Sequence, residues 1–236
     1  MQYIVIPFLT LVTSVIAYTN NLILTDMQQK YKSSLHDYHI PIVLCTGPAG
    51  TGKTMIACKE AVSLLRLKKI NKIVITRPTI TVEENIGFLP GNIEDKLYPF
   101  MIPIYDYFSE YFTKEQIQSL INNGRLEIAP LAFMRGRTFS DAIIIADEMQ
   151  NSSKNQFKML LTRIGENSKL IITGDLQQND LGPENGLKDF LELLDKRYKT
   201  DESKNSQGFE HIKFDNSNIK RSQIISKILD LYDEDI

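Results

Sequence analysis

A glycine-rich segment between a predicted strand and a predicted helix constrains the fold of this chain more than any other feature. Residues 42–45 form an apolar run typical of a buried strand, and residues 53–67 carry an apolar stripe with helical spacing. Glycines between two such elements let the backbone turn tightly and bring its N–H groups onto an anion at the positive end of the helix. The segment matches the pattern GxxxxGK[ST], and its members are Gly47, Pro48, Ala49, Gly50, Thr51, Gly52, Lys53 and Thr54. It predicts a loop that binds the phosphates of a nucleotide.

Two side chains of this loop are suited to nucleotide chemistry. We expect the Lys53 ammonium to contact the β- and γ-phosphates and the Thr54 hydroxyl to bind Mg²⁺. A chance match at a strand–helix turn is the alternative, and the strand and helix that flank the motif disfavour it.

An acidic pair follows the buried strand predicted at residues 142–146. We expect Asp147 to bind Mg²⁺, directly or through water, and Glu148 to act as general base toward the attacking water. Adjacent residues at a strand end point to opposite sides, so both roles fit one strand. A solvated acidic turn is the alternative, and the phosphate loop upstream disfavours it.

A polar turn follows the next predicted strand in the same way. Thr173, Gly174 and Asp175 are followed closely by Gln177 and Gln178. A glutamine at this place can sense the γ-phosphate and couple its loss to movement. The alternative is a hydrophilic loop without a chemical role.

Six short apolar runs alternate with helical segments along the chain. Continuous apolar strands of this kind indicate a mostly parallel sheet with helices on both faces, and hence an α/β fold. The strands are predicted at residues 42–45, 73–75, 126–128, 142–146, 170–172 and 209–214. Helices are predicted at 53–67, 101–123, 153–163, 184–197 and 219–232, with a linker at 15–40, a long structured loop at 78–100 and a surface loop at 201–208.

Composition narrows the classes of partner and of site. The 27 basic and 29 acidic residues give a net charge of −2 and a pI near 6.0, so nucleic acid binding requires a local groove. Cys45 and Cys58 form no CxxC pair and adjoin no histidine cluster. This spacing argues against a disulfide framework and against a structural zinc site.

The N-terminal segment is apolar and stands apart from the rest of the chain. Residues 3–18 carry no charge, but they are fewer than the roughly 20 apolar residues that a spanning helix needs. A packed or poorly ordered extension, a membrane anchor, and a cleaved signal or artefactual start remain alternatives. We therefore separate residues 1–24, an apolar extension, from residues 25–236, and we leave membrane contact through residues 3–18 open.

Three arginines have two interpretations each. Arg77, at a predicted strand end, could contact nucleic acid phosphates or form a surface ion pair. Arg135 and Arg137 could hold the long loop or line a groove, and the architectural role is favoured.

With these elements in order, the sequence resembles the PhoH family of P-loop ATPases, whose fold is similar to the core of superfamily 1 helicases. The resemblance covers about residues 25–232. It rests on TRP at 76–78, GFLPG at 87–91, MRGRTF at 134–139, IADEMQN at 145–151, LTRIG at 161–165 and GDLQQND at 174–180. Glu83, Asn218 and Ser222 depart from the family pattern. The resemblance implies a RecA-like P-loop NTPase fold for residues 25–236.

The resemblance also implies roles for three residues outside the phosphate loop. Gln178 falls on the glutamine of the family's GDxxQ element, which we assign to the catalytic set together with Lys53 and Glu148. Gln28 falls on an upstream glutamine that resembles an adenine-reading element. Arg221 falls on the family's late arginine and is expected to act as a finger toward the γ-phosphate, within its own chain or across a subunit contact.

The function implied by the resemblance is Mg²⁺-dependent ATP binding and hydrolysis, coupled to RNA or other single-stranded nucleic acid and with helicase-like activity as one form of that coupling. A nucleotide-gated scaffold, a regulatory ATPase without unwinding activity, is the alternative, and a small-molecule kinase fits less well. The resemblance further implies a homo-oligomeric ring, with a hexamer expected, and a cytoplasmic location.

Overall fold

The computed structural model describes residues 23–78, 102, 104–178 and 182–219. Within these ranges the strands are β1 (Ile42–Thr46), β2 (Lys72–Arg77), β3 (Leu126–Pro130), β4 (Ala142–Ala146), β5 (Lys169–Gly174) and β6 (Phe209–Lys213). They form one sheet in the order β3-β2-β4-β5-β1-β6, and every neighbouring pair is parallel. All six strands lie where the apolar runs predict them.

Helices cover both faces of this sheet, so the α/β prediction is confirmed. They are α1 (Asp26–His36), α2 (Lys53–Arg66), α3 (Lys114–Asn122), α4 (Lys154–Leu161), α5 (Gly186–Arg197) and α6 (Asp201–Asn205), with a further helical stretch at 104–109. Four of them begin with a capping box, in which a Ser or Thr hydroxyl and the side chain three residues later satisfy each other's backbone N–H groups. These N-caps are Thr25, Thr113, Ser153 and Thr200.

The core consists of two apolar clusters, one on each face of the sheet. Alternate residues of a strand point to opposite faces, so Val43 joins the cluster with α1 and α2 while Leu44 joins the cluster with α4 and α5. Ile143 and Ile144 of β4 divide in the same way. Because both faces are covered, the middle residues of the central strands are apolar.

The observed helices differ from three of the predictions made from the sequence. The linker predicted at 15–40 is wrong, since α1 lies within it and buries Tyr31 and Leu35 against the core. The surface loop predicted at 201–208 is wrong in its first half, because Thr200 caps the short helix α6. The single helix predicted at 101–123 is interrupted, since Thr113 begins α3 anew after the stretch at 104–109.

Some predictions lie outside the described residues. These are the apolar segment 3–18, most of the long loop at 78–100, the final helix at 219–232 and Arg221. In the ranges that are described, no helix combines the length and the apolar character needed to cross a membrane.

The register of the sheet places the sequence motifs at one edge. Thr46 of β1 pairs with Gly174 of β5, and Ala146 of β4 pairs with Ile172 of β5 and with Thr76 of β2. Since the strands are parallel, the residues that follow β1, β2, β4 and β5 all emerge at this carboxyl edge. The phosphate loop and the acidic pair therefore lie on the same side of the molecule.

Candidate active site

The phosphate loop has backbone conformations that suit glycine. Gly50 and Gly52 have φ angles of 80° and 85°, in the region that side chains with a Cβ rarely adopt. At Gly47 a Cβ would lie 2.5 Å from the carbonyl oxygen of Phe214. The three glycines of the motif are thus required by turn geometry and by the close approach of the segment after β6.

The N-terminus of α2 is built to receive an anion. Its N-cap is Gly52, which supplies no side-chain cap, unlike the Ser and Thr residues that begin α1, α3, α4 and α6. The first N–H groups of a helix need an acceptor, and phosphate oxygens can provide it. The Lys53 Nζ lies within the loop, where it donates to the carbonyl oxygens of Gly47 at 2.6 Å and Pro48 at 2.8 Å. The donor set therefore fits a polyphosphate.

Asp147 follows β4, and its carboxylate accepts hydrogen bonds from three other elements at the carboxyl edge of the sheet. Its Oδ1 accepts hydrogen bonds from the hydroxyls of Thr54 at 2.6 Å and Thr173 at 2.5 Å. Its Oδ2 accepts from Nη2 of Arg77 at 2.5 Å. Asp147 is buried, so this charge depends on the donors from α2, β5 and β2.

The pair formed by Thr54 and Asp147 fits Mg²⁺. A hydroxyl and a carboxylate oxygen, which lie 2.6 Å apart here, are the hard ligands that this ion prefers. The sequence predicts both residues as metal ligands, and the structure brings them together.

Glu148 has an unusual backbone and a single described side-chain contact. Its φ of 55° is in the left-handed region, which is uncommon for a residue with a side chain. Its Oε2 accepts a hydrogen bond of 2.6 Å from Nε2 of Gln150. Glu148 and Asp147 therefore face different partners, as expected for adjacent residues at a strand end.

Gln178 lies on the turn after β5, at the same edge as the acidic pair. Its backbone N–H donates to the Asp175 carbonyl at 3.2 Å, and its side chain is exposed. A cleft of about 380 Å³ separates this turn from the segment after β6 and borders the phosphate loop at Gly47 and Pro48. The residues of this turn that line the cleft are Asp175, Leu176 and Gln177, and the sensing role of Gln178 stays a prediction.

Gln28 connects α1 to the phosphate loop. Its Nε2 donates to the carbonyl oxygens of Thr51 at 2.9 Å and Asn218 at 3.3 Å, and its Oε1 accepts from the backbone N–H of Thr25 at 3.0 Å. The structure thus places Gln28 against the loop, while its adenine-reading role stays a prediction.

Four residues lie near the carboxylates in ways that sequence reasoning does not assign. Thr173 lies near the end of β5 and Gln150 in the motif IADEMQN, and neither has an assigned contact. From the sequence, Arg77 is assigned to nucleic acid phosphates or to a surface ion pair. The structure shows a contact with a buried carboxylate for Arg77, so the surface ion pair is corrected. Tyr107 is half-buried, and burial together with the nearby Asp147 carboxylate raises its pKa. No sequence signal distinguishes Tyr107 from the other aromatic residues around it.

Arg137 has structural contacts among the described residues, whereas the long loop that the sequence analysis assigns to it lies, apart from Pro78, outside them. Arg137 forms a bidentate pair with Glu127, which also accepts from Lys72. The Arg137 hydrogen bond lowers the pKa of Glu127 to about 2. Arg163 donates to the Arg137 carbonyl at 2.9 Å and so holds the backbone at Arg137 in place.

Both cysteines are buried beside the site. Cys45 precedes Thr46 on β1, and Cys58 lies on α2. Burial raises the pKa of each thiol, which keeps both protonated. Neither is placed for nucleophilic chemistry.

His211 of β6 lies beside the start of the phosphate loop. Its Nε2 and the Thr46 hydroxyl are 2.9 Å apart, directly before Gly47. Burial, together with Lys213, lowers the pKa of His211 to about 4. His211 is therefore neutral at pH 7.

The sequence is similar to bacterial PhoH proteins. It is 42% identical over 195 residues to the PhoH-like protein of Bacillus subtilis (strain 168), covering 82% of this chain and 58% of that protein. It is 42% identical over 171 residues to Protein PhoH of Escherichia coli (strain K12), covering 68% of this chain and 46% of that protein. The chain thus spans about half the length of these relatives.

The fold is similar to that of a bacteriophage protein. The large terminase from a thermophilic bacteriophage superposes with a TM-score of 0.51 at 15% identity, covering 87% of this chain and 49% of that one. At this identity the likeness concerns the fold alone, which is the RecA-like P-loop NTPase fold. The family described as PhoH-like protein matches residues 22–233. This chain therefore belongs to the PhoH-like protein family.

Proposed function

We propose that this protein is a Mg²⁺-dependent ATPase that cleaves the bond between the β- and γ-phosphates by in-line attack of water. One observation carries the proposal: the Thr54 hydroxyl contacts the Asp147 carboxylate at 2.6 Å, so that the phosphate loop and the acidic strand meet at one edge of the sheet. That contact joins a phosphate cradle to a metal-binding carboxylate, which is the arrangement that phosphoryl transfer needs.

Each residue of the site has a distinct role in this proposal. Lys53 and the uncapped end of α2 bind the phosphates, and Thr54 and Asp147 hold Mg²⁺. The ion, when bound there, offsets negative charge on the phosphate oxygens. Glu148 accepts the proton of the attacking water. Gln178 senses the γ-phosphate, and Arg221 offsets the charge that develops on it.

The chemistry is tested by comparing two substitutions. Lys53→Ala removes a phosphate contact of the ground state, so we expect loss of tight ATP binding. Glu148→Gln removes only the base, so we expect binding within about threefold of the unsubstituted protein and turnover reduced by about 100-fold or more. Calorimetry with ATP and a phosphate-release assay measure the two effects. Normal turnover by Glu148→Gln would exclude Glu148 as the base.

Coupling to single-stranded nucleic acid is a second part of the proposal and rests on the family. The alternative is a nucleotide-gated scaffold without unwinding activity. The two are separated by the ATPase rate with and without single-stranded RNA or DNA: stimulation supports coupling, and an unchanged rate supports the scaffold. A cytoplasmic location, where ATP is abundant, belongs to the same proposal.

Assembly into a homo-oligomeric ring is the third part. A single RecA-like unit leaves the γ-phosphate side of its site open to water, which weakens the electrostatic contacts there. A neighbouring copy can supply the missing wall, and head-to-tail contacts close into rings, for which we expect a hexamer.

Turnover per subunit should then rise with protein concentration. Activity rescued by mixing Arg221→Ala with Lys53→Ala proteins would support action of Arg221 across the contact, and a monomer with concentration-independent activity would exclude the ring.

A further inference from the structure

We infer that Gln150 is a positioning residue that holds the carboxylate of Glu148 and ties it to the turn after β5. The inference rests on the proposed ATPase function, because it concerns the orientation of the proposed base. The described hydrogen-bond partners of the Gln150 side chain are Glu148 and the backbone of Asp175.

Both the nitrogen and the oxygen of the Gln150 side-chain amide form hydrogen bonds. Its Nε2 donates to Oε2 of Glu148 at 2.6 Å, and its Oε1 accepts from the backbone N–H of Asp175 at 3.0 Å. Gln150 is 1% exposed and its contact with Asp175 is buried, while its contact with Glu148 is partly buried. A single rigid side chain therefore connects the end of β4 to the end of β5.

Glu148 needs such a support. Its backbone is in the left-handed region, and within the described ranges no side chain other than Gln150 hydrogen-bonds its carboxylate. A carboxylate on a flexible side chain samples several orientations, of which only one points at the water to be activated. The contact with Gln150 selects one orientation before nucleotide binds.

The end of β5 is shaped to admit Gln150. A Cβ on Gly174 would lie 3.0 Å from Oε1 of Gln150 and 2.5 Å from Cδ2 of Leu187, so the close approach requires glycine. The same turn carries Gln178. A displacement of this turn would move the N–H group that anchors Gln150, and through it the Glu148 carboxylate.

Two substitutions at position 150 separate positioning of Glu148 from anchoring of the turn. Gln150→Met loses both contacts at nearly constant volume. Gln150→Glu can still accept from Asp175, and while its carboxylate is ionised it cannot donate to Glu148 and repels it. Gln156→Met is the control, since Gln156 also pairs its amide oxygen with a backbone N–H, that of Ser153, but lies in the capping box of α4.

We expect both variants at position 150 to lower kcat by about ten- to hundredfold while KM and the Kd for a non-hydrolysable ATP analogue with Mg²⁺ change less than about twofold. Gln156→Met should retain the unsubstituted kcat. In the Glu148→Gln background, Gln150→Met should lower the residual rate by less than about twofold, because its effect passes through Glu148.

Three results would overturn the inference. If Gln150→Met keeps the unsubstituted kcat, neither contact of Gln150 positions the base. If analogue binding falls in parallel with kcat, Gln150 supports the fold rather than the base. A full effect in the Glu148→Gln background would show that Gln150 acts independently of Glu148. The proposed function fails separately, and the positioning role with it, if the unsubstituted protein hydrolyses no ATP with or without nucleic acid.

Discussion

At the scale of single residues, the site is organised around one buried carboxylate with donors on both oxygens. Asp147 receives hydrogen bonds from Thr54, Thr173 and Arg77, which come from three different elements. A buried charge is tolerated only when it is paired and hydrogen-bonded. The stability of the fold and the geometry of the proposed metal ligands therefore depend on the same contacts.

Replacing Arg77 by methionine should destabilise the protein. The substitution leaves the buried Asp147 carboxylate without its counter-charge, and we expect the free energy of unfolding to fall by about 2 kcal/mol. Urea titration measures this change. Lys154→Met, which breaks an exposed pair with Asp189, is the control and should cost no more than about 0.5 kcal/mol. Adding Asp147→Asn should recover part of the loss, and strictly additive losses would contradict the pairing.

His211 should make stability depend on pH. Its pKa is lowered to about 4 in the folded protein, whereas an unfolded histidine titrates near 6.5. The unfolded chain therefore binds this proton first, and its contribution to stability is present above about pH 6.5 and lost as pH falls toward 4. The loss should reach about 2 kcal/mol relative to His211→Gln, whose side chain can still bond Thr46. Parallel stability curves for the two proteins between pH 7 and pH 4 would contradict this expectation.

At the scale of elements, α1 is held in place by a buried lysine from β5. Lys169 is 6% exposed, and its ammonium donates to the carbonyl oxygens of Ser34 at 2.7 Å, Asp37 at 2.7 Å and Ile40 at 2.6 Å. These carbonyls lie at and just beyond the C-terminus of α1, where a positive charge is favourable. Burial nevertheless lowers the pKa of Lys169 to about 8.

Lys169→Met should loosen α1 from the sheet. Three carbonyl groups lose a charged donor, so we expect a loss of about 2–4 kcal/mol in unfolding free energy. Hydrogen exchange of the α1 amides should accelerate more than that of β4. Because α1 carries Gln28, the contact with Thr51 of the phosphate loop should weaken too. Equal protection of α1 in both proteins would show that Lys169 does not hold the helix.

At the scale of the whole molecule, the sheet was predictable and parts of the site were not. The apolar runs predict the positions of all six strands, because a strand that is covered on both faces has a continuous run of hydrophobic residues. The polar helices α1 and α6 were missed because their start signals, Thr25 and Thr200, stand before segments with little apolar periodicity. The phosphate loop and acidic pair follow from local spacing. The contacts of Arg77 and Gln150 depend on the register between strands that are distant in sequence and cannot be derived from local spacing. The position of Tyr107 near Asp147 likewise depends on the tertiary fold.

The apolar N-terminal segment should be dispensable for the described fold. Among the described residues, which start at 23, the contacts that link the N-terminal part to the core begin with Leu24, Thr25 and Gln28. A chain beginning at residue 21 should therefore melt within about 2 °C of the full chain and retain its ATP turnover. A chain beginning at residue 37 is the comparison, and it should lose both because it lacks α1 and the buried Tyr31. Failure of the first truncation to fold would show that residues 1–20 belong to the core.

The burial of both cysteines has a practical consequence for following motion in this protein. Cys45 and Cys58 are the only thiols of the chain, and neither presents an exposed thiolate to a maleimide. A cysteine introduced at an exposed position, such as Leu176 on the turn after β5 or Gln118 on α3, can therefore be labelled while the native pair does not react. No native cysteine has to be removed before labelling. A dye on the turn can then report nucleotide binding and phosphate release by fluorescence in real time.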